Sequence, residues 1–277
     1  MSNVLITGAS GFIGNALARS MSANHKIICL SRRDPEIAGT IWIRGSFGSF
    51  EDLRQLNAWK IDVVVHLGAV TGGCTEGDAV LVNCEGTRCL MRYLIDRGCT
   101  KYVFASSIAL VGFQSPQFRP IQIPIPDDHP CLDRDGYGLS KHLMEQIAHY
   151  YSRQNELIDV INLRLSSVVN DDATPQGLSD LGEWSLGSIT VTVLSDVVRL
   201  FSLAAEADPV TGVRTMNATC SRAWSTIPTA EVLRHWWGNE VDLSHYEQKG
   251  HKHDSAYDVA RIAKELGFVA SKTLAIL

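Results

Sequence analysis

Three glycines, Gly8, Gly11 and Gly14, stand between an apolar run, Val4-Leu-Ile-Thr7, and an amphipathic stretch that opens at Phe12. No other feature narrows the folds open to this chain as sharply. A strand that enters a helix through such a turn brings backbone N–H groups and the positive end of the helix dipole to one point, which suits a phosphate. Gly8 permits the tight turn, Gly11 lets backbone approach a pyrophosphate, and Gly14 lets the helix pack close to the strand. Gly8, Ser10, Gly11, Phe12, Ile13 and Gly14 are therefore expected to face a dinucleotide. The alternative, in which the glycines only close a βα turn, is disfavoured by the strand before them and the helix after.

Beyond this turn the chain alternates short β-branched runs with helical periodicity. Strands are expected at 4–7, 26–30, 40–43, 62–66, 101–105, 158–164 and 213–218, and helices at 12–22, 50–57, 78–97, 137–153, 195–207 and 228–237. The runs at 62–66 and 101–105 are apolar nearly throughout, as in parallel strands covered on both faces. The α/β class follows, as a Rossmann-like doubly wound parallel sheet with ligands at the carboxyl ends of its strands. With 277 residues and 45% hydrophobic content, the chain can bury one such domain plus a smaller portion. Residues 1–169, completed by 191–218, are assigned to the dinucleotide-binding domain. Residues 170–190 and 219–277 are assigned to a small C-terminal substrate-binding cap. The proline-rich stretch 114–135 reads as a loop bordering the site.

A net charge of −5 offers no basic footprint for nucleic acid or an anionic membrane, so a small-molecule partner is expected. The seven cysteines are odd in number and irregularly spaced, and several sit in apolar runs, so the cytoplasm is the expected setting. No run approaches the ~18 apolar residues of a membrane span, and the N-terminus begins directly with a strand pattern. The G-x-S-x-G elbow and the G-x-x-x-x-G-K-[ST] loop are absent from the sequence. No metal is expected: His245, His251, His253 and Asp254 fall in a polar loop without the usual ligand spacing and read as solvated residues. Trp224, Trp236 and Trp237 could line a sugar pocket, but the last two are adjacent on an expected helix, so at least one belongs to the core.

Two further groups carry chemistry. The second strand ends Cys29-Leu-Ser31-Arg32-Arg33, with no carboxylate at its tip to bond a ribose and repel a 2′-phosphate. Ser31, Arg32 and Arg33 therefore favour NADP, with NAD as the alternative, because guanidiniums bind phosphate in bidentate fashion. The bland alternative for both arginines is a pair of solvated loop charges. Tyr137-Gly-Leu-Ser-Lys141 opens a helix, so the i, i+4 spacing stacks phenol and ammonium on one face. A fixed cation beside a phenol stabilises phenolate and makes the pair a proton-transfer unit. Phe104-Ala-Ser-Ser107 ends a strand, at the edge where ligands bind, and Ser107 can hold a reacting oxygen; Ser106 is its neighbour and the less favoured candidate.

Taken in order, Thr7-Gly-Ala-Ser-Gly-Phe-Ile-Gly14, Ser106-Ser107 and Tyr137-x-x-x-Lys141 resemble the motifs of the extended short-chain dehydrogenases/reductases, the NAD-dependent epimerase/dehydratase family. Asp62-Val-Val-Val-His-Leu-Gly-Ala69 is similar to the family strand that passes the cofactor, and Val82-Asn83-Cys-Glu-Gly-Thr87 to a segment whose Asn supports the active-site backbone. The resemblance spans ~200 residues. It implies Tyr137, Lys141 and Ser107 as catalytic residues. It adds Leu67, Gly68, Ala69, Asn83, Ser106, Tyr137 and Lys141 to the cofactor contacts. It further implies an NAD(P)-dependent oxidoreductase or epimerase working at a carbinol or keto carbon of a sugar, sugar nucleotide or sugar acid. A homodimer through helices 78–97 and 137–153 is implied as well. The family's dehydratases carry Thr-Asp-Glu where this chain has Ser107-Ile-Ala109, so water elimination is not expected. Its epimerases continue Arg164 as Arg-x-x-Asn-x-x-Gly-Pro, whereas Ser167 stands at the Asn position here and Gly-Pro is missing. The stretch after Asn170 is also short, which points to a simpler sugar or sugar acid, as in the uronate dehydrogenase-like branch. The rival from another class is a non-catalytic NAD(P)-sensing protein.

Overall fold

The computed structural model describes residues 1–71, 73–172 and 177–272. Its strands are β1 (Asn3–Thr7), β2 (Lys26–Ser31), β3 (Ile41–Arg44), β4 (Val63–His66), β5 (Lys101–Ser107), β6 (Asp159–Leu165), β7 (Ser167–Val169), β8 (Val191–Val193) and β9 (Gly212–Ala218). Seven of them form one sheet in the order β3-β2-β1-β4-β5-β6-β9. Pairing is parallel from β3 through β5, with Ile6 of β1 opposite Cys29 on one side and Val65 on the other. The expected doubly wound sheet is thus formed. Strand order reverses at β1, whose neighbours are β2 and β4, and a switch point of this kind leaves a crevice beyond the strand ends.

The helices are α1 (Phe12–Met21), α2 (Phe50–Leu53), α3 (Glu76–Ala79), α4 (Gly86–Ile95), α5 (Gly136–Gln154), α6 (Leu186–Ile189), α7 (Leu194–Glu206), α8 (Thr229–Trp237), α9 (Ser244–Glu247) and α10 (Ala260–Leu266). The crossover through α1 steps from β1 to β2 and that through α4 steps the opposite way, from β4 to β5. Right-handed connections therefore set these helices on opposite faces. On the α4 and α5 face, Leu90, Met91, Leu94, Met144, Ala148 and Tyr151 pack against Leu5, Ile28, Val64, Tyr102, Phe104 and Val160 of the strands. Each of the Leu, Ile, Val, Met and Phe side chains removed from water here contributes roughly 1.5–3 kcal/mol.

The helix expected at 78–97 has three parts. Regular turns at α3 and α4 flank a π-helical segment, Val80–Glu85. The extra residue in this wide turn re-phases the helix, and Asn83 and Cys84 become buried. Apolar periodicity alone does not register such an insertion.

By their contacts the residues divide into two units: 1–106, 135–163 and 198–214 in the first, and 107–134, 164–197 and 215–277 in the second. The second unit takes in the proline-rich stretch that the sequence reading gave to the dinucleotide-binding portion. It also takes in 191–197. Its own core joins Ile108, Leu110, Val111, Phe118, Ile189, Val232, Leu233, Trp237 and Tyr257. A smaller cluster gathers Val191, Val193, Cys220 and Trp224 around the two-stranded parallel sheet of β7 and β8. Trp224 and Trp237 are core residues, and Trp236 donates its indole N–H to the Gly182 carbonyl at 3.2 Å. Within the cap segments of the sequence reading, 173–176 and 273–277 lie outside the described residues.

Candidate active site

A cavity of about 510 Å³ opens in the first unit beyond the carboxyl ends of β1, β2 and β4. The turn residues Gly8, Ser10, Gly11, Phe12, Ile13 and Gly14 line it, together with Ser31, Arg32 and Arg33 after β2 and Leu67, Gly68 and Ala69 after β4. The glycines are structural necessities. Gly8 has φ +71°, and a Cβ there would stand 2.8 Å from the Gly68 nitrogen; one on Gly14 would stand 2.2 Å from the Gly8 carbonyl oxygen. The backbone is packed against backbone at these points, which leaves the α1 N-terminus open toward the cavity.

Arg32 and Arg33 are exposed, and Ser31 is held by a hydrogen bond from its hydroxyl to the Arg33 carbonyl at 2.7 Å. Asp34, the nearest carboxylate, accepts from the Glu36 backbone N–H at 2.8 Å. Sequence reasoning missed Ser46, Phe47, Val70, Thr71, Val82 and Ala105, which also line the cavity. Phe47 occupies space that only glycine leaves free: a Cβ on Gly68 or Gly86 would come within 2.6 or 2.4 Å of its ring. A lone aromatic in Gly-Ser-Phe-Gly carries no signal of this in the sequence.

A buried chain of hydrogen bonds links the turn to α5. Gly68 N–H donates to Thr7 Oγ1 at 3.1 Å, Thr7 Oγ1 lies 2.6 Å from His66 Nδ1, and His66 Nε2 lies 2.9 Å from Thr87 Oγ1. Thr87 spends its proton on the Asn83 carbonyl at 2.5 Å. Its oxygen must then accept from His66 Nε2–H, and His66 Nδ1 must accept from Thr7, so proton counting assigns one neutral tautomer. Burial pushes the His66 pKa from 6.5 down to about 3, with the Lys141 charge adding to the effect. Asn83 accepts from Val70 N–H at 2.9 Å and donates to Ser140 Oγ at 2.9 Å, and Ser140 donates to the Tyr137 carbonyl at 2.8 Å. Asn83 thus sits behind the cavity wall, where it pins the loop after β4 to the first turn of α5.

That first turn is capped by Asp135, whose carboxylate accepts from the N–H groups of Tyr137 and Gly138 at 2.9 and 3.0 Å. Lys141 is fully buried. Its ammonium donates to the carbonyl of Ala105, a cavity-lining residue, at 2.7 Å and lies 5.7 Å from the centroid of the Tyr137 ring. The expected shared face is therefore formed. Desolvation brings the Lys141 pKa down from 10.5 to about 8, opposed by the negative charge of Glu145. Glu145, one turn further along α5, is buried and accepts from Ser106 Oγ at 2.6 Å. Sequence reasoning missed Glu145 as well, although its i, i+4 spacing from Lys141 is an available signal. Ser107 ends β5 and belongs to the second unit, where its hydroxyl accepts from Ala109 N–H at 3.1 Å.

A glycine-lined cavity at the reversal of strand order, backed by a buried lysine beside a tyrosine, defines a dinucleotide-type Rossmann fold. The chain belongs to the NAD dependent epimerase/dehydratase family, whose model matches residues 4–178. It is 30% identical over 185 residues to a D-erythronate dehydrogenase of Cupriavidus necator, covering 60% of this chain and 55% of that protein. It is 27% identical over 188 residues to a putative UDP-glucose 4-epimerase of Methanocaldococcus jannaschii, covering 63% and 58%. The matches thus span a little over half the length of these two relatives. In fold it resembles the crystal structure of UDP-glucose 4-epimerase from Bifidobacterium longum in complex with NAD+ and UDP. There the TM-score is 0.74 and the identity 18%, over 99% of this chain and 95% of that one. Among the described residues no helix is long and apolar enough to cross a membrane.

The state of His66 makes stability depend on pH. Between pH 6.5 and about 3 the unfolded chain takes up a proton that the folded chain refuses, so stability falls as pH is lowered through this window. The slope is up to about 1.4 kcal/mol per pH unit for this one group. In urea unfolding of wild type and His66→Gln between these limits, the variant is expected to lose stability less steeply with acid. Equal slopes would show that His66 is not held neutral.

Proposed function

We propose that this protein is an NADP-preferring oxidoreductase acting at a carbinol or keto carbon of a sugar or sugar acid. The observation that carries this reading is the placement of the Lys141 ammonium, fully buried and bonded to the carbonyl of cavity-lining Ala105, 5.7 Å from the Tyr137 ring. The glycine turn and the α1 N-terminus would hold the pyrophosphate of the dinucleotide, and the loop Leu67–Ala69 would pass along it. When bound, the nicotinamide supplies a hydride acceptor or donor. Tyr137 moves the proton at the substrate oxygen and Lys141 favours its phenolate; Ser107 is the residue to which the family resemblance assigns the holding of a reacting oxygen.

Arg32 and Arg33 support the choice of NADP: they are exposed on the cavity wall, while Asp34 is engaged with Glu36. The Bifidobacterium structure carries NAD+, so the preference rests on this chain's own strand end. Ser167 and the short stretch after Asn170 favour a substrate smaller than a nucleotide sugar, and the kinship with a D-erythronate dehydrogenase supports a sugar acid. Epimerisation is the second reading, supported by the kinship with a putative epimerase; net turnover of reduced cofactor separates the two. A homodimer through the helices of 78–97 and 137–153 is supported by Leu81 of the π-helical segment, 65% exposed, and Tyr150 of α5, 48% exposed. The cysteines form no disulfide, which supports a reducing cytoplasmic setting.

In Tyr137→Phe, turnover is expected to fall about 10²- to 10⁴-fold with cofactor affinity unchanged. Full turnover in this variant would contradict the mechanism. For the cofactor, Arg32→Ala/Arg33→Ala is expected to weaken NADPH binding about tenfold or more, the loss of about one charged hydrogen bond, and to leave NADH binding as it was. Fluorescence titration with both cofactors measures this, and an unchanged NADPH affinity would refute the 2′-phosphate assignment.

A further inference from the structure

The second unit brings together three side chains for which the sequence offers no ligand spacing. His245 lies on α9, and His251 and Asp254 lie on the turn that follows. His245 Nε2 stands 3.0 Å from Asp254 Oδ2, and His251 Nδ1 stands 2.7 Å from the same oxygen. The candidate ligand atoms all lie within 4.8 Å of one another, and the two imidazole rings are 4.7 Å apart between centroids.

We propose that His245, His251 and Asp254 form a binding site for a divalent ion of the zinc class. Two imidazole nitrogens and one carboxylate oxygen are the donors that zinc, cobalt and nickel prefer. Bonds of about 2.0–2.2 Å in tetrahedral geometry place ligand atoms some 3.3 Å apart. The two nitrogens and the oxygen therefore reach coordination distance by small side-chain shifts. All three side chains are accessible, with 29, 43 and 31% exposure. Their backbone is fixed: Asp254 N–H donates to the His251 carbonyl at 3.1 Å, and Thr229 Oγ1 donates to the Asp254 carbonyl at 2.9 Å. Lys249 and Lys252 flank the turn in sequence, so coordination bonds rather than the local field hold the ion.

Three protein ligands leave a fourth position open. His245 and Asp254 also line a cavity of about 420 Å³ with Tyr257, Ile262 and Phe268. An ion here would cross-link α9 to the following turn at the rim of this cavity.

Zinc sulfate titrated into the tag-free, metal-free full-length protein, followed by calorimetry, tests the site. One ion per chain is expected at micromolar free zinc, with binding weakened at least about tenfold in His245→Ala and in His251→Ala and unchanged in His235→Ala, an exposed histidine elsewhere in the unit. Cobalt should give the intense visible bands of tetrahedral coordination in wild type and lose them in both variants. Circular dichroism confirms that each variant is folded. No stoichiometric binding, or binding that survives loss of both histidines, would overturn the proposal.

Discussion

His66 is held between two hydroxyls, and much of the first unit's geometry depends on that arrangement. With Thr7 on one side and Thr87 on the other, every proton has a single place to go, and protonating the imidazole would leave the Thr7 hydroxyl without its acceptor. A buried polar group costs several kcal/mol unless it is fully bonded, so the chain of bonds holds as a whole or is lost as a whole. Through it the glycine turn at the end of β1, the loop after β4, the π-helical segment at 80–85 and the first turn of α5 are held in one register. The cavity wall and the Tyr137–Lys141 pair thus share a rigid support.

Lys141 shows the cost of that support. An ammonium without water is unstable unless its donors are used and opposite charge is near. The Ala105 carbonyl takes one donor, and Glu145, itself bonded to Ser106, supplies negative charge from the next turn. Desolvation still wins, and the lysine is left with a pKa lowered to about 8.

What the sequence made legible were features with a local cause. The turn from Gly8 to Gly14 declares itself because each glycine answers a backbone contact, and the i, i+4 spacing of Tyr137 and Lys141 on a helix is the same in any fold. The runs at 62–66 and 101–105 announced buried parallel strands by composition. What stayed hidden depends on distant partners. Phe47 matters because Gly68 and Gly86 leave room for its ring, and Asn83 turns inward because of one extra residue in a helical turn. The second unit is built on elements such as β7, β8, α6 and α9, three or four residues each, too short for a periodicity to show. His245, His251 and Asp254 meet only because that unit folds.

The matches to a D-erythronate dehydrogenase and to a putative UDP-glucose 4-epimerase each cover little over half of the relative. The claim at the centre is hydride transfer supported by this cavity. Incubation with NADPH deuterated at the nicotinamide C4, across a panel of keto-sugars, keto-sugar acids and nucleotide keto-sugars, tests it most directly by mass spectrometry. The account predicts deuterium on the new carbinol carbon of at least one small sugar or sugar acid. Stoichiometric NADPH binding with no label transferred to any member of the panel would contradict it and favour a protein that senses the cofactor.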